Sequence, residues 1–221
     1  MKEWFLDVLF PEGNACHLCG RGCPEAGILC SRCLQKLHAQ RLKPFASVHS
    51  RPHPPIKTCI SAFPHAGEAR ELVHLLKYSA DRAAAPLLGE CMAHALAMSA
   101  AGGERFDMVI PVPLHPERLE ERGYNQALLL AKIVGRHLSV SVVDEALLRI
   151  HPTATQTVRS REARLSAMQG AFRVPDPEAV KGRAILLVDD VLTTGATAMS
   201  CARTLMNAGA GSVTMLTACR A

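Results

Sequence analysis

The chain has 221 residues, 48% of them hydrophobic and 20% charged, so a full core can be buried and extensive disorder is excluded. Aromatic residues make up 4%, which argues against a surface built mainly on stacked rings. A net charge of +5 tolerates an anionic ligand but does not by itself indicate nucleic acid. The excess leans toward the N-terminus, where residues 1–55 carry seven Lys/Arg against four Asp/Glu, while residues 56–221 carry 18 against 16. Four thiolates around one zinc would subtract two charges and shrink it further.

Met1–Phe10 contains Glu3 and Asp7 and has no small-residue cleavage site, so no signal peptide is expected. No apolar run reaches about 18 residues, so no membrane span is expected either. Nine cysteines in such a chain point to reduced thiols or metal ligands and to a cytoplasmic protein.

Five of the cysteines fall between Cys16 and Cys33. Cys16 and Cys19 form one Cys-x-x-Cys pair, and Cys30 and Cys33 form another. Two such knuckles suit a tetrahedral site for structural zinc, and a module this small would draw its folding energy from the metal. Two redox dithiols, or buried free thiols, are the alternatives. Cys23 either substitutes in that site or is spare. The sequence divides into a cysteine module over 1–50, a Pro-rich linker over 51–55 and a larger domain over 56–221. Prolines cannot continue a helix and bias the chain to extended forms.

The larger domain alternates strand and helix. Ile56–Phe63 is β-rich, Ala66–Tyr78 places Leu72, Leu75 and Leu76 at helical spacing, and Ala83–Ala100 is alanine-rich and helical. Phe106–Val112 is a buried strand, Asn125–Leu138 a helix and Val140–Val143 a short strand. Ala184–Val188 is a second buried strand, Ala196–Ala208 a helix ended by Gly209, and Ser212–Ala218 a final strand. Continuous apolar runs separated by helices predict an α/β fold, with a mostly parallel sheet covered on both faces. Ligands of such sheets bind beyond the carboxyl ends of the strands.

The strand at 184–188 runs into Asp189 and Asp190, and Thr193, Thr194, Gly195, Ala196 and Thr197 then open a helix. Unpaired N–H groups at a helix start hold phosphate oxygens, threonine hydroxyls add donors, and glycine allows close approach. The helix dipole adds only about 0.3–1 kcal/mol, so hydrogen bonds must carry most of the affinity. Adjacent carboxylates would repel a phosphate, and they make sense beside one only if they meet hydroxyls or a divalent metal such as Mg²⁺. The bland alternative is an acidic strand end followed by a threonine-capped helix.

After the strand at 106–112, Leu114 and His115 have backbone N–H groups to give, whereas Pro113 and Pro116 do not. Arg118 and Arg122 just downstream either neutralise phosphate charge or stand solvated. Asn125 and Gln126 are candidate helix caps. Residues 149–173 hold Arg149, Arg159, Arg161, Arg164 and Arg173 against Glu162 alone, which suits either a basic flap or a solvated charge run.

Asp189 through Thr197 resembles the phosphoribosyl-pyrophosphate (PRPP) loop of type I phosphoribosyltransferases. The resemblance implies ribose hydroxyls on Asp189 and Asp190, the 5-phosphate on residues 193–197, and pyrophosphate at Leu114, His115 and Arg122. Val109–Leu114, Glu121–Ala127 (Glu-Arg-Gly-Tyr-Asn-Gln-Ala) and Leu75–Tyr78 narrow it to the ComF family of competence-associated proteins, as do Thr155–Gln156, Arg164–Leu165, Ala171–Phe172 and the N-terminal cysteines. Ala167 stands where that family usually has Asn, and Ala80 where it often has Gly. ComF resemblance implies a PRPP-binding protein acting in DNA uptake and natural transformation, with single-stranded DNA and other competence proteins as partners. The superfamily alternatively implies an active enzyme transferring ribose 5-phosphate from PRPP to a nitrogen base in nucleotide salvage.

Overall fold

A computed structural model describes residues 15–22, 28–41, 55–78, 82–99, 101–150 and 170–221. The first helix, α1 (Ser31–Ala39), follows the second cysteine knuckle. Strand β1 (Thr58–Pro64), helices α2 (Gly67–Tyr78) and α3 (Ala84–Ala97), and strand β2 (Met108–Pro111) come next. Helices α4 (Pro116–Arg122) and α5 (Gln126–Leu138) then lead to a small hairpin of β3 (Leu148–Arg149) and β4 (Phe172–Arg173). A short α6 (Pro177–Val180), strand β5 (Ala184–Leu192), helix α7 (Ala196–Asn207) and strand β6 (Ser212–Arg220) complete the chain.

The main sheet has the order β1-β6-β5-β2, and all three pairings are parallel. The expected strand at 140–143 contributes one parallel bridge, Val142 beside Val109, at the β2 edge. Its register is held by Val109 N–H on the Ser141 carbonyl and Val143 N–H on the Val109 carbonyl, both at 2.9 Å. The strands are buried almost throughout because helices cover both faces, so both sets of alternating side chains are apolar. Leu186, Val188, Leu216 and Ala218 pack with α2, α3 and α5. Ile185, Leu187, Val213 and Met215 pack on the opposite face with α7 and the β3–β4 hairpin.

Two differences from the sequence expectation bear on the site. Strand β5 does not stop at Val188. It stays paired with β6 through Asp189, opposite Thr217, as far as Leu192, opposite Arg220. The turn chemistry begins only at Thr193, so the two aspartates are strand residues. The cysteine module also shares the main core: Cys16, Cys33 and Leu37 lie in one buried cluster with Leu72, Leu76 and Leu88. Full burial of Leu37 stabilises that junction by roughly 1.5–3 kcal/mol. Across it, Lys36 pairs with Glu68 at 3.3 Å and Gln40 donates to the same carboxylate. The linker at 51–54, Cys23 and residues 151–169, which hold Arg159, Arg161, Arg164 and Ala167, lie outside the described residues.

Candidate functional site

A cleft of about 280 Å³ opens at the carboxyl end of the sheet. It is lined by Asp189, Asp190, Thr193 and Thr197 on the β5–α7 side, and by Pro113, Leu114, Lys77 and Gln126 opposite, with His65 and Arg149 at its flanks. Six places in the sequence therefore meet where a parallel sheet places its ligands. The volume lies just below the range usual for small-molecule sites, roughly 300–1,000 Å³.

Consecutive strand residues point to opposite faces, so the two aspartates have different surroundings. Asp190 continues the Leu186–Val188 row and is 3% exposed. Its Oδ2 lies 3.0 Å from Lys77 Nζ, at the last turn of α2. Asp189 continues the Ile185–Leu187 row, and its Oδ1 accepts the Asp190 N–H at 2.8 Å. Burial, reinforced by the Asp190 charge, pushes the Asp189 carboxyl up to about 8. Burial, with Lys77 and Arg70 nearby, holds His65 below its ordinary value. The cleft thus presents Asp190 paired with Lys77 beside an Asp189 carboxyl whose burial and charged neighbour favour its protonated form.

The loop after β5 turns into α7 through Gly195, whose φ of 75° is left-handed. An added Cβ would meet nothing nearer than 3.9 Å, so backbone conformation and not space calls for glycine there. Thr194 Oγ1 receives the Ala196 N–H at a long 3.4 Å. α7 has no side-chain N-cap bond, and its first turn opens beside the aspartates.

The Arg122–Gln126 segment holds the opposite wall. Tyr124 is buried and donates its hydroxyl to the Leu76 carbonyl at 2.5 Å, which fixes the turn that carries Lys77. Asn125 caps α5 by accepting the Ala127 N–H, and its Nδ2 donates to the Val112 carbonyl at 3.0 Å, tying that helix to the loop at 112–114. Gln126 is 5% exposed and lines the cleft, while Arg122 donates to its Oε1. Of the residues expected at a pyrophosphate, Leu114 lines the cleft. His115 is the N-cap residue of α4 with Nδ1 3.4 Å from Glu117, and Arg122 reaches the cleft wall through Gln126. Sequence reasoning marked Lys77 and Arg149 only as parts of longer segments, and it missed His65. The one available signal for His65 was its position just beyond a strand's carboxyl end.

The cysteine cluster fits a metal. All four Sγ atoms of Cys16, Cys19, Cys30 and Cys33 lie within 4.8 Å of one another. Cys19 and Cys30 are 3.7 Å apart, close to the ~3.8 Å edge of a tetrahedron of zinc–sulfur bonds. Burial alone would raise the Cys16 thiol, but N–H groups of Cys30, Cys19 and Leu18 outweigh it and bring it down to about 6. Burial and the neighbouring sulfurs push Cys33 up to about 12. Four sulfurs this close cannot all ionise unless a cation joins them. No described helix is long and apolar enough to cross a membrane.

No family model matches the chain. It is 32% identical over 211 residues to the DNA utilization protein YhgH of Shigella flexneri, covering 95% of this chain and 85% of that protein. It is 36% identical over 118 residues to the competence protein ComFC of Bacillus subtilis, covering 53% of this chain and 46% of that protein. Among solved structures, the adenine phosphoribosyltransferase of Thermoanaerobacter pseudethanolicus matches with a TM-score of 0.39 and 16% identity, over 82% of this chain and 85% of that one. Near-complete coverage by YhgH, together with the ComFC match, makes this chain a member of the ComF family.

Proposed function

We propose that the protein binds PRPP with Mg²⁺ in the cleft and acts as a phosphoribosyltransferase-like factor in the handling of incoming DNA. The observation that carries this reading is the convergence of Asp189, Asp190, Thr193 and Thr197 with Leu114 and Lys77 around one cleft. Residues 193–197 take the 5-phosphate on threonine hydroxyls and on N–H groups of the first turn of α7. Asp189 and Asp190 accept from the ribose hydroxyls. As Asp190 turns to the ribose, Lys77 is released toward the pyrophosphate, which lies against the Leu114 N–H. The doubly charged cation that arrives with PRPP offsets charge at the diphosphate and favours ionised Asp189. The cysteine module holds zinc as a structural unit, since a closed set of four thiolates leaves no open coordination position. The DNA role is supported by membership of a family that includes a DNA utilization protein and a competence protein.

PRPP with Mg²⁺ is expected to raise the melting temperature of the wild type. Asp189→Asn combined with Asp190→Asn is expected to abolish that rise. Absence of a shift in the wild type at millimolar ligand would overturn the reading. Incubation with PRPP and a panel of nitrogen bases tests turnover, because released pyrophosphate would move the assignment to active phosphoribosyl transfer.

A further inference from the structure

The two tyrosines of the chain are used in opposite ways. Tyr124 is buried, its hydroxyl is donated to Leu76, and the Arg82 guanidinium carbon sits 4.7 Å from its ring centroid. Tyr78, at the end of α2, is 66% exposed, the most open large apolar side chain among the described residues. Exposure alone would mean nothing, since single surface rings are ordinary. What sets Tyr78 apart is its support. His74, one turn earlier, lies 4.8 Å away between ring centroids, and the Arg122 guanidinium carbon is 5.6 Å from the Tyr78 ring. Arg122 is itself held by Gln126, which lines the cleft, and the Tyr124–Leu76 hydrogen bond pins the turn just before Tyr78. The ring is thus presented on a braced surface one side chain from the cleft.

The charges of α4 add a direction. Arg118 and Arg122 are four residues apart and share a face, whereas Glu117, Glu120 and Glu121 share another. A polyanion is repelled from the acidic face and drawn to the side where Arg122 stands beside Tyr78.

We propose that Tyr78, with Arg122 beside its ring, is a stacking platform for a nucleobase of single-stranded DNA whose backbone passes the mouth of the cleft. The idea rests on the DNA-handling reading above and names the residues that would carry it. A strand fits better than a free base. Sites for small molecules bury 70–90% or more of their ligand, and an open ring encloses nothing. A base tethered to phosphates needs only the face of the ring together with neighbouring cations.

The test uses the full zinc-loaded chain and an oligodeoxythymidylate carrying one 2-aminopurine, followed by fluorescence over a salt series. Tyr78→Ala is expected to weaken binding roughly 5- to 150-fold at fixed salt, with the slope of log affinity against log salt unchanged. Tyr78→Phe keeps the ring and retains the affinity. The PRPP thermal shift of Tyr78→Ala stays at its wild-type value, which shows an intact cleft. The proposal is overturned if the wild type does not bind the oligonucleotide, if Tyr78→Ala binds it as the wild type does, or if free 2-aminopurine riboside competes as well as the strand. Tyr78-dependent binding in a protein with no PRPP response would sustain the platform and overturn only the PRPP reading.

Discussion

Asp189 and Asp190 are adjacent in sequence but meet different partners, because β5 turns them to opposite faces of the sheet. Asp190 is neutralised by Lys77, whereas Asp189 is held up to about 8 by burial and by Asp190. The folded state therefore retains a proton at Asp189 that the unfolded chain releases near pH 4. Between about pH 4 and pH 8 the folded form binds more protons, so the contribution of this group to stability is largest below pH 4 and is lost as pH rises through 8. Urea midpoints of the ligand-free protein at pH 5 to 9 should fall less steeply in Asp189→Asn than in the wild type. Parallel curves would show that Asp189 titrates normally. At this scale the turn at Thr193–Thr197 was legible because residue type and order alone specify it, with Gly195 in the left-handed region at the start of α7. The Lys77–Asp190 pair was not, since 113 positions separate the two residues.

Helices α3 and α5 pack closely at Gly89. A Cβ there would lie 2.7 Å from Ile133 Cγ2 and 2.8 Å from its Cβ. Helix propensity alone predicts that Gly89→Ala stabilises by about 1 kcal/mol. The close approach reverses the sign, because the atoms met include the branch carbon of a β-branched side chain with few alternative rotamers. Destabilisation of about 1–3 kcal/mol is expected, read as a lower denaturant midpoint at unchanged m-value. A higher midpoint would mean that α5 yields freely. The types of the main strands and helices followed from apolar periodicity, but their ends did not, and the stretch at 140–143 pairs through a single bridge. β5 outruns its apolar stretch because β6 continues to offer partners as far as Arg220. α4 buries no residue, so no apolar spacing announced it, although Pro116 at its start is a helix signal.

Cys16, Cys33 and Leu37 belong to the same buried cluster as Leu72 and Leu76, so metal loss should reach beyond the module. Chelation is expected to release one zinc per chain and to lower the single calorimetric transition of the whole protein. Two transitions, with the main one unmoved, would show that the module folds independently. Helix α2 spans this arrangement. Glu68 in its first turn meets Lys36 and Gln40 beside the module, and Lys77 in its last turn meets Asp190 in the cleft.

By itself, the sequence determined the α/β class, the turn into a helix at residues 193–197 and the set of four cysteines that could hold a metal. Each of these depends on residue type at short spacing, which the chain displays directly. Only the tertiary structure decided that Asp189 and Asp190 face apart, that Lys77, His65 and Arg149 reach the cleft, and that Arg122 joins the Tyr78 ring to Gln126 in the cleft wall. Those relations arise from strand register and helix packing between distant segments, where many interactions contribute jointly and no local pattern records the outcome.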